Sequence, residues 1–168
     1  MDEPQWKKNN DLKGQVHLHL YKEALQKWHS MHSRLKRNGY QNTTICDEWY
    51  TFSNYYNWYI ENSISGWDVD KDMLGANHYS PNTCMFVPHE VNQLFRGGYG
   101  KHKKGVQKVF NSWVAKSTYN GVQEYYGTFK TEDEAHQVYL THSRIRIVNL
   151  ATKYSNYPVL STALLNSK

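Results

Sequence analysis

Residues 67–92 read WDVDKDMLGANHYSPNTCMFVPHEVN, and this segment decides the predicted fold of the first half of the chain. Its first four residues alternate between apolar and acidic side chains, which is typical of a short strand. A polar loop with a proline turn follows, and residues 84–87 then form an apolar run that predicts a second strand. Pro88 favours the start of a helix, because proline is tolerated in the first helical turn. The predicted order is strand, loop, strand and helix.

Two oxygen-bearing side chains lie at the ends of this segment. Asp70 closes the first predicted strand, and Asn92 lies in the predicted helix. Carboxylate and amide oxygens are the ligands that hard divalent cations prefer. The predicted order therefore allows Asp70 and Asn92 to face one metal ion.

The segment resembles the ββα-metal motif of the HNH endonucleases. In that motif an acidic residue and a histidine end the first strand, and an Asn or His on the helix completes the metal site. By position, the four corresponding residues are Asp70, Lys71 in place of the histidine base, Thr83 in place of the middle asparagine, and Asn92. The resemblance implies Mg²⁺ or Mn²⁺ as the cofactor and DNA as the substrate. It extends over most of residues 28–95, because TICDEWYTFSNYYNWYI is similar to the helical flank of phage-encoded HNH-type proteins.

The lysine at the position of the histidine base changes the expected chemistry. A lysine with an ordinary pKa of about 10.4 stays protonated at neutral pH and is a poor proton acceptor. The neighbouring acids Asp70 and Asp72 favour the charged form further, and a charged Lys71 competes with a metal for them. His78 follows seven residues later and is a candidate replacement base. We therefore predict a retained fold whose candidate catalytic positions, largely replaced, are Asp70, Lys71, His78 and Asn92.

Composition bounds the class of protein. With 168 residues, 39% hydrophobic and 15% aromatic, the chain is long and apolar enough for a folded core. It contains no apolar run of about 18 residues, so no transmembrane helix and no membrane partner are expected. The N-terminus lacks the apolar segment of a signal peptide. Cys46 and Cys84 are too few for a four-cysteine zinc site, and we interpret them as reduced thiols of a cytoplasmic protein.

Charge is distributed unevenly along the chain. Residues 1–95 carry 9 Lys and Arg against 11 Asp and Glu, a net charge of −2, whereas residues 96–168 carry 11 against 4, a net charge of +7. Residues 96–104 are rich in glycine and predict a basic linker that can follow a phosphate backbone, or alternatively a solubilising hinge. The linker residues expected to contact DNA are Arg96, Lys101, Lys103 and Lys104.

The N-terminal residues predict helices. Residues 1–14 are polar and expected to fray. Apolar residues at intervals of three or four predict a helix over residues 16–37, ended by Asn38-Gly39. A second helix, predicted over residues 48–60, is dense in aromatic residues. We interpret it as a core helix beneath the ββα unit, with a base-stacking platform as the alternative.

After the linker the hydrophobic period changes to two. Strands are predicted over residues 105–110, 113–117 and 124–129, with a tight turn at Asn120-Gly121. Thr131 and the acids after it predict a capped helix that continues to Leu150, and the tail over residues 152–168 is expected to form a short closing helix. The predicted packing face of the long helix consists of Ala135, Val138, Tyr139, His142 and Ile145.

Residues 105–150 resemble the AP2 DNA-binding domain. The similarity lies in Gly105-Val106, in the WVA of residues 113–115, in the YGTF of residues 126–129, and in the TEDEA helix start at residues 131–135. The resemblance implies that the sheet enters the DNA major groove. The strand residues that it assigns to DNA contact are Gln107, Lys108, Trp113 and Lys116, with core packing as the alternative for Trp113. A glutamine at position 107 favours adenine, because its amide makes a bidentate pair with that base. One of Tyr125 and Tyr126 is expected to face the core.

The sequence therefore predicts an α+β protein with three parts. Residues 1–95 form N-terminal helices plus an HNH-like ββα unit, residues 96–104 the linker, and residues 105–168 a three-stranded antiparallel sheet packed on one helix, with a C-terminal tail. The predicted function is double-stranded DNA binding in the cytoplasm, which is the host cytoplasm if the protein is phage-encoded. One alternative is an active Mg²⁺- or Mn²⁺-dependent DNA nicking or homing endonuclease. A second alternative is a phage effector that binds a host protein through its acidic, aromatic N-terminal half.

Overall fold

The structure, a computed structural model, describes residues 7–37, 42–95 and 101–167. Within these residues the chain is α+β, with five α-helices and a three-stranded antiparallel sheet. It divides into two compact units, Met1–Val87 and Pro88–Lys168. The helix after Val87 thus belongs to the second unit, and the linker at residues 96–104 stays a prediction, with residues 96–100 outside the described ranges. No helix in the described ranges is long and apolar enough to cross a membrane.

The first helix, α1, spans Tyr21–Arg34 and is shorter than predicted. Leu20 adopts a left-handed conformation with φ of 53°, which cannot continue a helix. Residues 16–19 form turns, in which the Leu18 N–H donates to the Gln15 carbonyl at 3.1 Å. The prediction that the helix begins at residue 16 is therefore wrong. Its predicted stop at Asn38-Gly39 lies outside the described residues.

The aromatic segment forms two helices rather than the single one predicted. A 3-10 helix spans Asp47–Tyr50, and α2 spans Phe52–Asn62. Thr51 between them is extended, with φ of −96° and ψ of 123°. Asn9 explains the break, because its N–H donates to the Tyr50 carbonyl at 2.8 Å and its carbonyl accepts from the Phe52 N–H at 2.9 Å. The same two hydrogen bonds hold the N-terminal segment at Asn9, so the prediction of fraying is wrong in the part of this segment that the structure describes.

The core of the first unit is aromatic, as the core-helix interpretation of α2 predicts. Its fully buried large side chains are Trp28, Trp49, Phe52, Tyr55 and Tyr59. The Trp28 indole N–H donates to the Trp49 carbonyl at 2.6 Å, so the polar atom of a buried ring is satisfied. Both cysteines are free thiols, with Cys84 buried.

The strand, loop, strand and helix order of residues 67–92 is confirmed. Strand β2 spans Trp67–Asp70 and is hydrogen-bonded to β4, Met85–Pro88. Helix α3 spans His89–Phe95 and starts one residue later than Pro88, which ends the strand. The prediction missed a short parallel pair between β1, Thr44–Ile45, and β3, His78–Tyr79.

The second unit contains the predicted antiparallel sheet. Strands β5, Val106–Val109, β6, Ser112–Tyr119, and β7, Val122–Phe129, lie in that order. The last two strands are longer than predicted because they pair up to the Asn120-Gly121 turn. Both turn residues have positive φ, of 49° and 77°, as a two-residue hairpin turn requires.

One long helix packs on this sheet. Helix α4 spans Glu132–Lys153 and starts with the predicted cap, a capping box between Thr131 and Glu134. The closing helix α5, Pro158–Asn166, is confirmed. The buried residues of α4 are Ala135, Tyr139, Ile147, Leu150 and Ala151.

The predicted packing face of α4 is correct only near its start. Ala135 and Tyr139 are buried, but Ile145 is 54% exposed and His142 is exposed. The predicted face continued from Tyr139 at intervals of three residues, to His142 and Ile145. The buried face instead continues at intervals of four residues, from Ala135 through Tyr139 to Ile147. Both choices fit a helical period of 3.6, and only the position of the sheet selects one.

The close approach of β5 to α4 yields a stability prediction. A Cβ atom added at Gly105 would lie 2.0 Å from the Tyr139 ring, and Gly105 has φ of +77°. We expect Gly105→Ala to lower the free energy of unfolding by about 3 kcal/mol or more, through overpacking and backbone strain together. Denaturant unfolding followed by circular dichroism measures this change.

Gly121→Ala is the matched control. Gly121 also has φ of +77°, but nothing lies within 4 Å of an added Cβ atom. This variant should lose only about 1 kcal/mol, from backbone strain alone. Equal losses in the two variants would contradict the close packing of Tyr139 on Gly105.

Candidate nucleic-acid interface

The sheet of the second unit has one face toward α4 and one away from it. On β6, Ala115 is fully buried, and both the Ser117 hydroxyl and the Tyr119 ring contact Arg146 of α4. Because side chains alternate along a strand, the residues between them point the other way. The strand register extends this assignment to β5 and β7. We call the resulting set the outer face: Gln107, Val109, Val114, Lys116, Thr118, Gln123, Tyr125 and Thr128.

The outer face carries hydrogen-bonding groups and a positive charge but no carboxylate. Lys116 lies on the central strand opposite Tyr125, while Gln107 and Gln123 on the flanking strands are the partners of its outer-face neighbours Val114 and Thr118. Tyr125 is 65% exposed, and its hydroxyl forms a hydrogen bond with the Thr128 hydroxyl at 2.6 Å. This face therefore has the chemistry to contact a polyanion and to hydrogen-bond with base edges.

The acidic residue of β7 is held on the other face of the sheet. Glu124 pairs with Ser117 in the strand register, and its carboxylate accepts from Arg146 Nη2 at 2.6 Å. An irregularity in the register at Ala115 and Lys116 also turns Tyr126 toward α4, where its ring stacks on His142 with centroids 4.0 Å apart. The expectation that one of the two tyrosines faces the core is met by Tyr126.

The four strand residues predicted to contact DNA are divided between the two faces. Gln107 and Lys116 lie on the outer face. Lys108 and Trp113 are cross-strand partners on the face toward α4, with the ammonium 5.2 Å from the ring centroid. The His102 ring also contacts Trp113, at 5.0 Å. Trp113 thus fits the packing role better than base contact from the same face as Gln107.

The predicted linker residues that the structure describes are held in place by internal contacts. The Lys103 backbone N–H donates to Glu132 at 2.7 Å, and its ammonium pairs with Asp133, which raises the Lys103 pKa. Lys104 donates to the Leu94 carbonyl at 2.5 Å, and burial lowers its pKa. Lys101 is exposed. Arg96 lies outside the described residues.

Internal contacts engage every carboxylate of the second unit, which has 11 Lys and Arg against 5 Asp and Glu. Glu90 binds Lys153, Glu124 binds Arg146, and the three acids at the start of α4 bind Lys103, His102 or the helix cap. Among the described residues of this unit, several cations have no carboxylate partner: Lys101, Lys104, Lys108, Lys116, Lys130 and Arg144. The unit therefore presents a surplus of positive charge that is not neutralised internally.

In the first unit, the acidic residues of the ββα segment stabilise a turn. Asp70 is only 7% exposed, and its Oδ1 accepts from the Met73 backbone N–H at 2.7 Å. Burial raises the pKa of this carboxyl. Lys71 is 4% exposed, and its ammonium pairs with Asp72, as expected for a charged lysine beside these acids. The Lys71 side chain is thus held by local contacts, with Asp72 and with the Ala76 carbonyl at 3.5 Å.

The remaining candidate catalytic residues are committed to other contacts or belong to the other unit. His78 Nδ1 lies 2.7 Å from the Thr44 hydroxyl in the β1–β3 pair, and Thr83 donates to the His78 carbonyl. No hydrogen bond joins His78 to Asp70 within the part of the chain that the structure describes. Asn92 is in α3 of the second unit. Within residues 7–37, 42–95 and 101–167, no three His, Cys, Asp or Glu side chains are grouped so that they could hold a metal ion.

This donor set fits an HNH-type metal centre poorly. Asp70 is buried and already accepts a backbone hydrogen bond, and the positions of the base and the middle asparagine carry Lys71 and Thr83. Hard cations favour several ionised or carbonyl oxygens around one point.

Sequence reasoning missed two features of the second unit. The assignment of Tyr125 to the outer face depends on the register irregularity of β7, and no pattern in this sequence predicts that irregularity. Arg146, which holds Glu124 toward α4, is 22 residues from it in the chain, so no local pattern links the pair.

Comparison with known proteins adds no family. No family model matches the chain, and neither the curated proteins nor the solved structures give a match.

The ββα segment yields a prediction about cleavage. With the Lys71 ammonium held by Asp72, we expect no nicking of supercoiled plasmid by the purified protein in Mg²⁺ or Mn²⁺. Gel electrophoresis over a range of protein concentrations measures it. Nicking that disappears in both Asp70→Ala and Asn92→Ala, with a folded circular dichroism spectrum, would contradict this expectation and establish the endonuclease.

Proposed function

We propose that the protein binds double-stranded DNA through the outer face of the second unit's sheet. On this proposal the first unit is an HNH-like module whose catalytic positions are largely replaced. The observation that carries the proposal is the chemistry of the outer face, where Lys116 is surrounded by exposed amide and hydroxyl groups without a carboxylate.

The dimensions of the sheet support this proposal. Neighbouring strands lie about 4.8 Å apart, so three strands span roughly 10 Å between the outer backbones. The major groove of B-DNA is about 12 Å wide and admits strands as well as helices. A sheet with one polar, uncovered face can therefore approach base edges directly.

Each polar residue of the outer face has a distinct expected role. Lys116 would contribute to affinity through phosphate contact, which is independent of sequence and sensitive to salt. Gln107 would contribute to specificity, because a glutamine amide pairs with the N6 and N7 atoms of adenine. Tyr125 offers an exposed ring next to Lys116 on the neighbouring strand.

The nuclease alternative has less support from the described contacts. It needs a proton acceptor beside the metal, but Lys71 is paired with Asp72 and His78 with Thr44. The host-protein alternative remains a hypothesis based on the acidic, aromatic N-terminal half. It predicts a complex with a host protein that survives nuclease treatment. A complex that is held together by DNA would not survive this treatment.

Charge reversal on the outer face tests the proposal. Lys116→Glu should lower the affinity for duplex DNA of any sequence by about tenfold and reduce the slope of log affinity against log salt by about 1. Fluorescence anisotropy with labelled duplex, measured over a series of salt concentrations, gives both quantities. The matched control is Lys22→Glu, which makes the same change in net charge at an exposed position of the first unit.

A second comparison separates specificity from charge. Gln107→Ala should change the preference for adenine-containing sites while leaving non-specific binding almost unchanged.

If Lys116→Glu and Lys22→Glu weaken DNA binding equally, the effect comes from net charge and the outer face is not the interface.

A further inference from the structure

A cavity of about 300 Å³ lies within the second unit, at the edge of the sheet. Residues of α3, of the segment before β5, of β6 and of α4 line it, and the polar ones include Gln93, Lys104, Lys116, Thr118, Tyr119 and Arg146. Cavities of this size hold small ligands. The lining cations on the side of the sheet toward α4 are Lys104 and Arg146, whereas the Lys116 side chain belongs to the outer face, and none of the lining residues is an acid.

The cavity forms where β5 stops and β6 continues. The Lys116 N–H donates to the Gly105 carbonyl at 2.9 Å, just before the start of β5. Backbone groups of alternate residues point to the same side of a strand. The N–H of Thr118, two residues later, is therefore directed to that side, beyond the end of β5, and is a donor toward the cavity.

Lys104 supplies an incompletely used ammonium group. Its only hydrogen bond in the described part of the chain goes to the Leu94 carbonyl at 2.5 Å. An ammonium has three donors, so two remain. Burial without a carboxylate partner lowers the pKa of Lys104, because desolvation disfavours the charged form. An anion beside Lys104 would relieve this cost.

Arg146 also lines this cavity, and contacts with the sheet hold its guanidinium group in place. Its Nη1 donates to the Ser117 hydroxyl at 3.2 Å and its Nη2 to Glu124 at 2.6 Å, while the guanidinium lies 4.6 Å from the Tyr119 ring centroid. These contacts set its orientation. They also show that Glu124 already offsets part of the Arg146 charge, so the unpaired charge of the cavity is centred on Lys104.

The carboxylate that contacts the lining residue Tyr119 is fully engaged. Glu90 accepts from the Tyr119 hydroxyl at 2.9 Å and from Lys153 at 2.5 Å, and also from the Tyr154 hydroxyl. Despite its partial burial, these hydrogen bonds lower the Glu90 pKa to about 2. Glu90 is therefore an anion already bound by its own donors, and it is not an available partner for Lys104.

We propose that this cavity binds a phosphate group, with Lys104 as the main cationic contact and the Thr118 backbone N–H and Gln93 amide as neutral donors. A phosphate offers several acceptor oxygens, which matches convergent donors from different elements. The phosphate can belong to a free phosphate compound or to a nucleic acid backbone. The cavity and the outer face share the strand residues Lys116 and Thr118, but the proposal does not depend on DNA binding through that face.

Titration calorimetry of the 168-residue chain with inorganic phosphate at constant ionic strength tests the proposal. We expect saturable binding that is weakened by about tenfold in Lys104→Gln, because a charge-assisted hydrogen bond is lost. Lys130→Gln, at an exposed cation that does not line the cavity, is the matched control and should bind as the unmodified protein does. Gln93→Glu adds a carboxylate to the cavity and should likewise weaken phosphate binding by about tenfold or more, which keeps the test valid if Lys104→Gln fails to fold.

The source of the phosphate is separated by a parallel titration with a short DNA duplex. If Lys104→Gln also weakens duplex binding and lowers its salt dependence, the cavity holds a backbone phosphate. If only phosphate binding is lost, the ligand is a free phosphate compound. Absence of saturable phosphate binding, or equal binding by Lys104→Gln and Lys130→Gln, would overturn the proposal whether or not the protein binds DNA.

Discussion

The ion pair between Arg146 and Glu124 holds the carboxylate of the second unit's sheet on the face toward α4. Glu124 is the acidic residue of the three strands, and Arg146 on α4 holds its carboxylate at 2.6 Å on the covered side. Strand alternation then leaves Lys116, with amides and hydroxyls, on the uncovered side. The proposed DNA interface depends on this separation of charge between two faces of one sheet.

In the first unit the predicted order of elements is present, and the polar residues of the ββα segment make local contacts. Strand β2, strand β4 and helix α3 follow the order predicted from residues 67–92. Lys71, where the HNH pattern has a base, is buried with its ammonium on Asp72, and Asp70 closes the turn through the Met73 N–H. The polar residues that resemble catalytic ones thus have local structural partners, which is why we assign function to the second unit.

Local patterns in the sequence predicted the elements better than their contacts. The Asn120-Gly121 turn and the Thr131 cap were predictable, because both depend on residues close together in the chain. The break at Thr51 was not, because it depends on hydrogen bonds to Asn9, more than forty residues away. The face of Trp113 and the pairing of Lys103 with Asp133 likewise depend on strand register and on helix position, which no periodicity encodes.

The most direct test of the account is NMR titration of the isotope-labelled protein with duplex DNA. We predict that the backbone amide signals of Gln107, Gln123 and Tyr125 shift together in fast or intermediate exchange, while those of the covered residues Ala135 and Ile147 on α4 stay in place. Shifts confined to the first unit, or no shifts at low salt, would contradict binding through the outer face.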